Sequence, residues 1–402
     1  KKKTILLFSI LIIIFIISSN LNSTRTFLRS NISPDIKNSF KELFFSKEYL
    51  EEIYFFKKIN YNQKILPKTQ FENLDFKKIK INFIKDVNDQ NKVKNNYTTM
   101  RPITNKFFIS PIQNNLITVT SNGHIQMLKD YNFSSAQVIE SNLKDFNTYD
   151  ILDIEIIKNN LYISFVKKNN NDTECRQIQL VKATVDTKYL NFKNFFEIEK
   201  CQYGASAGRI VHYFLNEAEG ILFTTGDDAK ESNLAQDDNS LYGKILFIDF
   251  DMQNVKIISK GHRNPQGLLV DKEIILSTEH GPYGGDEINK IILKENYGWP
   301  ISSYGESYGF DSKTLKDRND YIFEKSHSDF QFVEPIYSFV PSIGISEIIK
   351  VPNNFSKYWR NNYLIASLNG RSLYRVSFDK NYSKIIYSEK IVIGERIRDI
   401  KY

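Results

Sequence analysis

The main part of the chain is predicted to be all-β, and three observations carry that prediction. From about Tyr97 onward the sequence breaks into short β-rich runs such as NLITVT, LYISFV, GILFTTG, GKILFIDF, NYLIASL and SLYRVSF. Each run is bounded by Asn, Gly, Asp or Pro, the residues that end strands and start turns. Roughly 300 residues have this texture, too many for one simple sandwich of about 100 residues. A sandwich, a barrel and a propeller all fit such a pattern, and at about 50 residues per unit a propeller would have six blades. Composition alone does not choose among them.

The chain opens KKKTILLFSILIIIFIISSN: three lysines, an apolar run of about 15 residues, then small polar residues. Residues 1–20 therefore read as a secretory signal peptide. The run is short for a membrane span, which takes about 20 residues. No small-x-small cleavage site is clear, so an uncleaved N-terminal membrane anchor stays open. Either reading exports the rest of the chain. Residues 21–97 differ in texture from the β-rich remainder. SPDIKNSFKELFFSKEYLEEIYFFKK spaces its apolar residues as a helix does, with Ser33 and Pro34 where a helix would begin. This stretch is expected to be a mainly helical appendage or tether without chemistry of its own. Residues 98–402 form the expected β domain.

The net charge is +7, and 25% of residues are charged, an ordinary proportion for a soluble protein. Lys1, Lys2 and Lys3 belong to the targeting segment. Lys57, Lys58, Lys77, Lys78 and Lys80 alternate with Phe and Ile, the pattern of a solvated face. No stacking motif accompanies these lysines, so nucleic acid is not an expected partner. Cys175 and Cys201 are the two cysteines, an even pair that in an exported protein suits one disulfide. RQIQLVKATV and FFEIEKC beside them read as the two arms of a hairpin.

The most specific stretch is GHRNPQGLLV at 261–270, together with STEHGPYGGDEINKIILKENYGWP at 277–300. TTGDDA (224–229), SLYGKILFIDFD (240–251), EPIYSFVPSIGIS (334–346), YWRNNYLIASLNGRSLYRVSFD (358–379) and GERIRD (394–399) accompany it. In order and spacing these segments resemble the soluble glucose/sorbosone dehydrogenases, six-bladed β-propellers dependent on pyrroloquinoline quinone and calcium. The resemblance covers about 104–402 and is weaker before Tyr203.

The resemblance implies a site. The cofactor is a flat ortho-quinone with three carboxylates, and guanidinium groups pair with such oxygens through planar, charge-assisted bonds. Arg263, Asn264 and Gln266 fall where the family contacts the cofactor. Arg396 and Arg398 match a second arginine pair, and a spacing of two puts both on one face of a strand. Ser342 and Asn369 match further cofactor contacts. Gly281 and Pro282 match the loop whose carbonyls hold calcium beside the quinone. Asp286, Glu287 and the backbone of Tyr297 resemble a second, structural calcium site; calcium prefers several such hard oxygens. Taken without the resemblance, EHGPYGGDE is an acidic, glycine-rich turn whose spacing is not that of an EF-hand.

Two departures stand against full activity. The family's histidine, which takes the sugar's proton, precedes a Gly-Gly-Arg. Here that stretch is Ala205-Ser206-Ala207-Gly208-Arg209, and alanine accepts no proton. Asp227, which would orient that histidine, remains, free to cap a turn or to act as a weaker base. His212 lies at the wrong distance to inherit the role, whereas His262 and His280 flank the cofactor motifs and could face the site. A lysine of the soluble glucose dehydrogenases is replaced by Asn369, which keeps a hydrogen bond but loses the charge. The sequence also stops soon after GERIRD and starts without Met, so it is expected to be a fragment with an incomplete last blade.

Two functions are compatible with these residues. The first is an exported oxidoreductase, periplasmic or tethered to the outer face of the inner membrane. It would oxidise an aldose at the anomeric carbon to a lactone and pass electrons to an acceptor. The second is a non-catalytic calcium-binding propeller that holds a carbohydrate or protein, since folds of this kind are reused as binding platforms.

Overall fold

The computed structural model describes residues 107–402 apart from 133–135, 169–171, 173–174, 205, 252–253 and 307–322, together with the short strands β1 (Lys64–Ile65) and β2 (Phe76–Lys77). The signal or anchor reading of 1–20, the helical reading of 21–97 beyond β1 and β2, and Ala205 lie outside the described residues. Those described fall in one unit, 60–309 with 314–402. Among them there is no α-helix, and no helix long and apolar enough to cross a membrane.

Five antiparallel sheets succeed one another along the chain. The first blade is β3 (Phe107–Ile112), β4 (Asn115–Thr120), β5 (Ile125–Leu128) and β6 (Ala136–Ser141). The second is β7 (Thr148–Ile157), β8 (Asn160–Lys168), β9 (Arg176–Thr184) and β11 (Lys193–Gln202). Between β9 and β11 the two-residue β10 (Tyr189–Leu190) pairs in parallel with β6, stitching the second blade to the first. The third is β12 (Ala207–Leu215), β13 (Ala218–Thr225), β14 (Lys244–Asp249) and β15 (Val255–Lys260). The fourth is β16 (Pro265–Asp271), β17 (Ile274–Glu279), β18 (Asp286–Ile291) and β19 (Tyr337–Phe339). The fifth is β20 (Ile345–Lys350), β21 (Tyr363–Ser367), β22 (Ser372–Phe378) and β23 (Ile385–Val392).

The first strands of successive blades, β3, β7, β12, β16 and β20, contact one another in turn. That arrangement, with four-stranded meanders radiating from a ring, is a β-propeller. The blade count corrects the expectation of six: the described residues form five. An even division at 50 residues misses the unequal blades. The fourth alone runs from Pro265 to Phe339 because a long connection precedes β19.

The core lies between blades. Phe108 and Ile117 of the first blade pack with Ile151 and Ile163 of the second. Tyr162 and Phe195 of the second meet Ile221 and Phe223 of the third. Leu222 and Phe247 join Leu268 and Ile275, and Leu276 and Ile288 join Ile345 and Ile365. A strand sandwiched between two neighbouring sheets buries both faces, so it reads as a continuous apolar run. β14 (KILFID) is buried at every position. The outermost β23 has one free face and largely alternates.

Residues 394–402 form no named strand. They cross the ring between the fifth and first blades. Ile397 N–H donates to Ser367 O at 3.2 Å, and Asp399 Oδ2 accepts from Ile109 N–H at 3.0 Å. Ser346 Oγ donates to Ile397 O at 2.7 Å.

Candidate active site

The connections after the second and fourth strand of each blade collect at one mouth of the ring, and the sequence-predicted residues lie on them. Arg263 and Asn264 lie between β15 and β16; residues 280–285 join β17 to β18; Ser342 lies between β19 and β20; Asn369 lies between β21 and β22. Arg396 and Arg398 are on the crossing segment.

Glu279, at the end of β17, fixes the 261–264 turn. Its Oε1 accepts from the backbone N–H of Arg263 and, at 3.2 Å, from that of Asn264. Its Oε2 bonds His262 Nδ1 at 2.9 Å, and His262 Nε2 bonds Ser259 Oγ at 2.8 Å. The order Ser–His–Glu has the form of a hydrolytic triad, but Ser259 and His262 are fully buried and no substrate reaches the hydroxyl. The chain of bonds is a strut. His262 also stacks on Tyr297, with ring centroids 4.7 Å apart.

Held this way, Arg263 extends its guanidinium over the indole of Trp299, 5.4 Å from the ring centre. Its Nη1 donates to His280 O at 3.0 Å and Gly281 O at 2.8 Å. Gln266 Nε2 donates to Asn264 Oδ1 at 2.8 Å. Ser342 Oγ accepts from Gly344 N–H at 3.4 Å, and Asn369 N–H donates to Ile343 O at 2.9 Å. Arg396 Nη1 reaches Leu368 O at 3.5 Å.

Arg398 is half-buried, and its pKa is pushed down to about 10, first by burial and then by the guanidinium groups of Arg209 and Arg396. Asp150 opposes this, acting less than either arginine. The side chain of His280 is held below its usual range by burial, and the charges of Arg263 and Arg398 both act on it in the same direction. Asp286 opposes them on His280, and Arg209 is itself paired with carboxylates, so the positive charge left facing the mouth is that of Arg263, Arg396 and Arg398, groups suited to holding an anion.

A second feature lies beneath the 280–285 loop. A cavity of about 10 Å³, the space of one water or ion, is lined by Glu279, Glu287, Tyr297, Ser302 and His327 among others. Glu287 is buried, and burial together with the neighbouring Glu279 holds its carboxyl well above the usual range. His327 Nε2 stands 3.6 Å from Glu287, while burial lowers the pKa of that imidazole. Ser302 Oγ and His327 Nδ1 are buried without a hydrogen-bond partner. Glu287 and these unsatisfied polar atoms around an ion-sized space fit a hard divalent cation, while Glu279 has both oxygens in the strut and Arg263 also lines the space. Asp286, expected beside Glu287 in this role, spends its oxygens elsewhere. Oδ1 accepts from Gly281 N–H at 3.1 Å and Oδ2 from Ile345 N–H at 2.9 Å. It shapes the loop.

Asp227 is buried, and its Oδ2 accepts the indole N–H of Trp299 at 2.8 Å. Of the histidines weighed as substitutes for the missing base, His212 pairs with Glu219 at 2.9 Å well along β12, and His262 is locked in its strut. His280 Nε2 is buried without a partner. Cys175 and Cys201 are joined in a disulfide that ties the start of β9 to the end of β11, close to Gly204.

Sequence reasoning missed the group at the ring's centre. Arg209, fully buried, meets Asp153 at 2.9 Å, Glu347 at 2.9 Å and Asp399 at 3.7 Å, and donates to Arg398 O at 2.8 Å. Lys401 pairs with Glu155 at 2.5 Å. These residues come from four separate stretches of sequence, and no local motif announces their meeting.

The sequence profile of the family described as Glucose / Sorbosone dehydrogenase matches residues 113–402. The chain belongs to the glucose/sorbosone dehydrogenase family. Within that family it is 26% identical over 235 residues to the aldose sugar dehydrogenase YliI of Escherichia coli (strain K12), covering 54% of this chain and 59% of that one. It is 29% identical over 195 residues to quinoprotein glucose dehydrogenase B of Acinetobacter calcoaceticus, covering 38% and 40%. An uncharacterised Synechocystis protein, slr1608, is 31% identical over 148 residues, covering 36% and 34%. The chain thus spans between about a third and three fifths of these relatives. Among solved structures, the apo-form soluble aldose sugar dehydrogenase of Escherichia coli superposes with a TM-score of 0.57 at 19% identity, covering 73% of this chain and 88% of that one. The quinone-bound aldose sugar dehydrogenase of Streptomyces coelicolor gives 0.54 at 19%, covering 72% and 83%. At that identity the superpositions establish the propeller fold of this glucose/sorbosone dehydrogenase family member.

Proposed function

We propose that the protein is an exported sugar dehydrogenase that holds pyrroloquinoline quinone at the arginine-lined mouth and oxidises an aldose at its anomeric carbon. The observation that carries this reading is the convergence of Arg263, Arg396 and Arg398 on one mouth, where Arg263 and Arg398 both act on His280 and Arg396 acts on Arg398. An anion with several carboxylates is the complement of such a site. Arg263, Arg396 and Arg398 would take its carboxylate or quinone oxygens, with Asn264, Gln266, Ser342 and Asn369 completing the polar rim. A calcium ion would sit at the carbonyls of Gly281 and Pro282 once Arg263 turns from the Gly281 carbonyl to the quinone, and another in the cavity with Glu287 and the Tyr297 backbone. The bound quinone supplies a two-electron acceptor for hydride. Trp299, packed under Arg263, keeps water from that side of the guanidinium and strengthens its charge interactions. Electrons would leave to an external acceptor. The disulfide supports an oxidising compartment, periplasmic or membrane-tethered, for 98–402 as a propeller domain behind an N-terminal appendage.

One observation favours the second reading, a calcium-binding propeller that holds sugar or protein without turnover. Position 205 offers no base, and the Asp227 carboxylate is engaged by Trp299. Reconstitution separates the two. On the first reading, protein incubated with calcium and pyrroloquinoline quinone shows the bound-quinone absorbance and reduces a dye when given aldoses. On the second it shows no dye reduction. Quinone binding without turnover, with Ala205→His restoring turnover, would identify a dehydrogenase scaffold that has lost its base. Absence of bound quinone would sink the dehydrogenase reading.

A further inference from the structure

One buried side chain joins two of the cofactor-side segments through their backbones. Arg209, on β12, donates from Nε to Gln266 O at 2.5 Å and from Nη2 to Arg398 O at 2.8 Å. Gln266 lies at the start of β16, its amide bonded to Asn264, and Arg398 lies on the crossing segment. A guanidinium is planar and carries its N–H donors in a fixed fork, so the two carbonyls it bridges are held at a set separation and angle. The remaining nitrogen, Nη1, meets Asp153 Oδ1 and Glu347 Oε2, each at 2.9 Å. Those carboxylates offset the cost of burying the charge. The backbone of Arg209 is fixed too. Thr224 Oγ1 accepts from its N–H at 2.9 Å and donates to Pro265 O at 3.1 Å, one residue before Gln266.

The bonds from Ser346 and Ser367 to Ile397 attach the crossing segment to the fifth blade. Arg209 attaches it to the third and, through Gln266, to the fourth. We propose that Arg209 is a positioning residue, which sets the gap between Gln266 and Arg398 and with it the width of the clasp that holds the anion. Arg209 is fully buried, so it acts through those two backbones and does not meet the anion itself. Charge alone would not do this. A lysine would supply the same charge on a flexible stem, as a point donor that fixes no angle between two acceptors. The inference rests on the dehydrogenase reading above, since it takes Gln266 and Arg398 as contacts of one bound quinone.

The test is absorbance titration of the calcium-loaded full chain with pyrroloquinoline quinone, beside thermal melts without quinone. Arg209→Lys keeps the buried charge and loses the fork, and should weaken quinone binding about tenfold. Asp153→Asn removes a carboxylate charge and leaves both carbonyl bonds in place. It should lower the melting temperature yet hold quinone affinity within about twofold of wild type. A merely structural Arg209 would lower both melts and leave one common affinity, and that result overturns the proposal. Equal losses of affinity in the two variants also overturn it, because general loosening would then suffice. Should Arg209→Lys not fold, Arg209→Met combined with Asp153→Asn and Glu347→Gln removes the paired charges together and leaves Asp399 to Lys401. The same loss of about tenfold is expected there, and an unchanged affinity overturns the inference. Wild-type absorbance is read first. If no quinone is bound, the dehydrogenase reading falls and takes this one with it; if quinone is bound and Arg209→Lys matches wild type, the positioning role alone is removed.

Discussion

Arg398 carries the sharpest expectation at the scale of one side chain. A half-buried guanidinium flanked by two others is costly until an anion arrives, and a charge-assisted bond to a carboxylate then offsets that cost. Arg398→Met should therefore weaken quinone binding about 10- to 100-fold while leaving the folded protein at least as stable. Quinone titration monitored by absorbance, alongside thermal melting without quinone, checks both halves. Glu347 gives a pH signature. Burial raises its pKa to about 7, against the pull of Arg209, and Asp153 beside it is raised for the same reason. The folded state therefore binds more protons than the unfolded chain between the ordinary glutamate value and about 7, and stability falls as pH rises through that window. Melting temperatures from pH 4.5 to 7.5 should show this decline, and Glu347→Gln should flatten it.

At the scale of elements, close approach of inner strands depends on Gly267. A Cβ there would meet Ser346 O at 2.5 Å and Thr278 Oγ1 closer still, atoms of β20 and β17 that have no slack. Gly267→Ala should cost about 1–3 kcal/mol, read from denaturant melts. The Cys175–Cys201 link closes a sequence separation of 26 residues. Its loss in Cys201→Ser should cost about 3–4 kcal/mol by the chain-entropy account and loosen Gly204 beside position 205. The elements legible in the sequence are those with local causes. β14 and β22 announce themselves as apolar runs between turn residues because burial and chain reversal are local requirements. The pairing of β10 with β6 and the bonds of 394–402 across the ring do not, because they join distant stretches through backbone groups common to every residue. Likewise Arg263, Arg396 and Arg398 could be named from their motifs. Arg209 with Asp153, Glu347 and Asp399 could not, since only the closing of the ring brings them within reach.

For the molecule as a whole, the expected six blades rested on dividing length by an average unit, and the uneven fourth blade breaks that average. Stability should depend on cation as well as on packing. The cavity holding Glu279 and Glu287 places like charges side by side, and a divalent ion removes their repulsion. Chelation should lower the melting temperature by several degrees, and calcium at about 100 times its dissociation constant should restore about 2.7 kcal/mol. An unchanged melt in chelator would refute that cation site.

The strap of residues that carries Arg396 and Arg398 is the same one whose Asp399 and Lys401 grip the first, second and third blades. A guest clasped by those two guanidiniums therefore tugs on the buckle of the whole ring. Loading the mouth and tightening the propeller become one event, so proteolytic resistance of strands far from the mouth should report occupancy as faithfully as any spectrum.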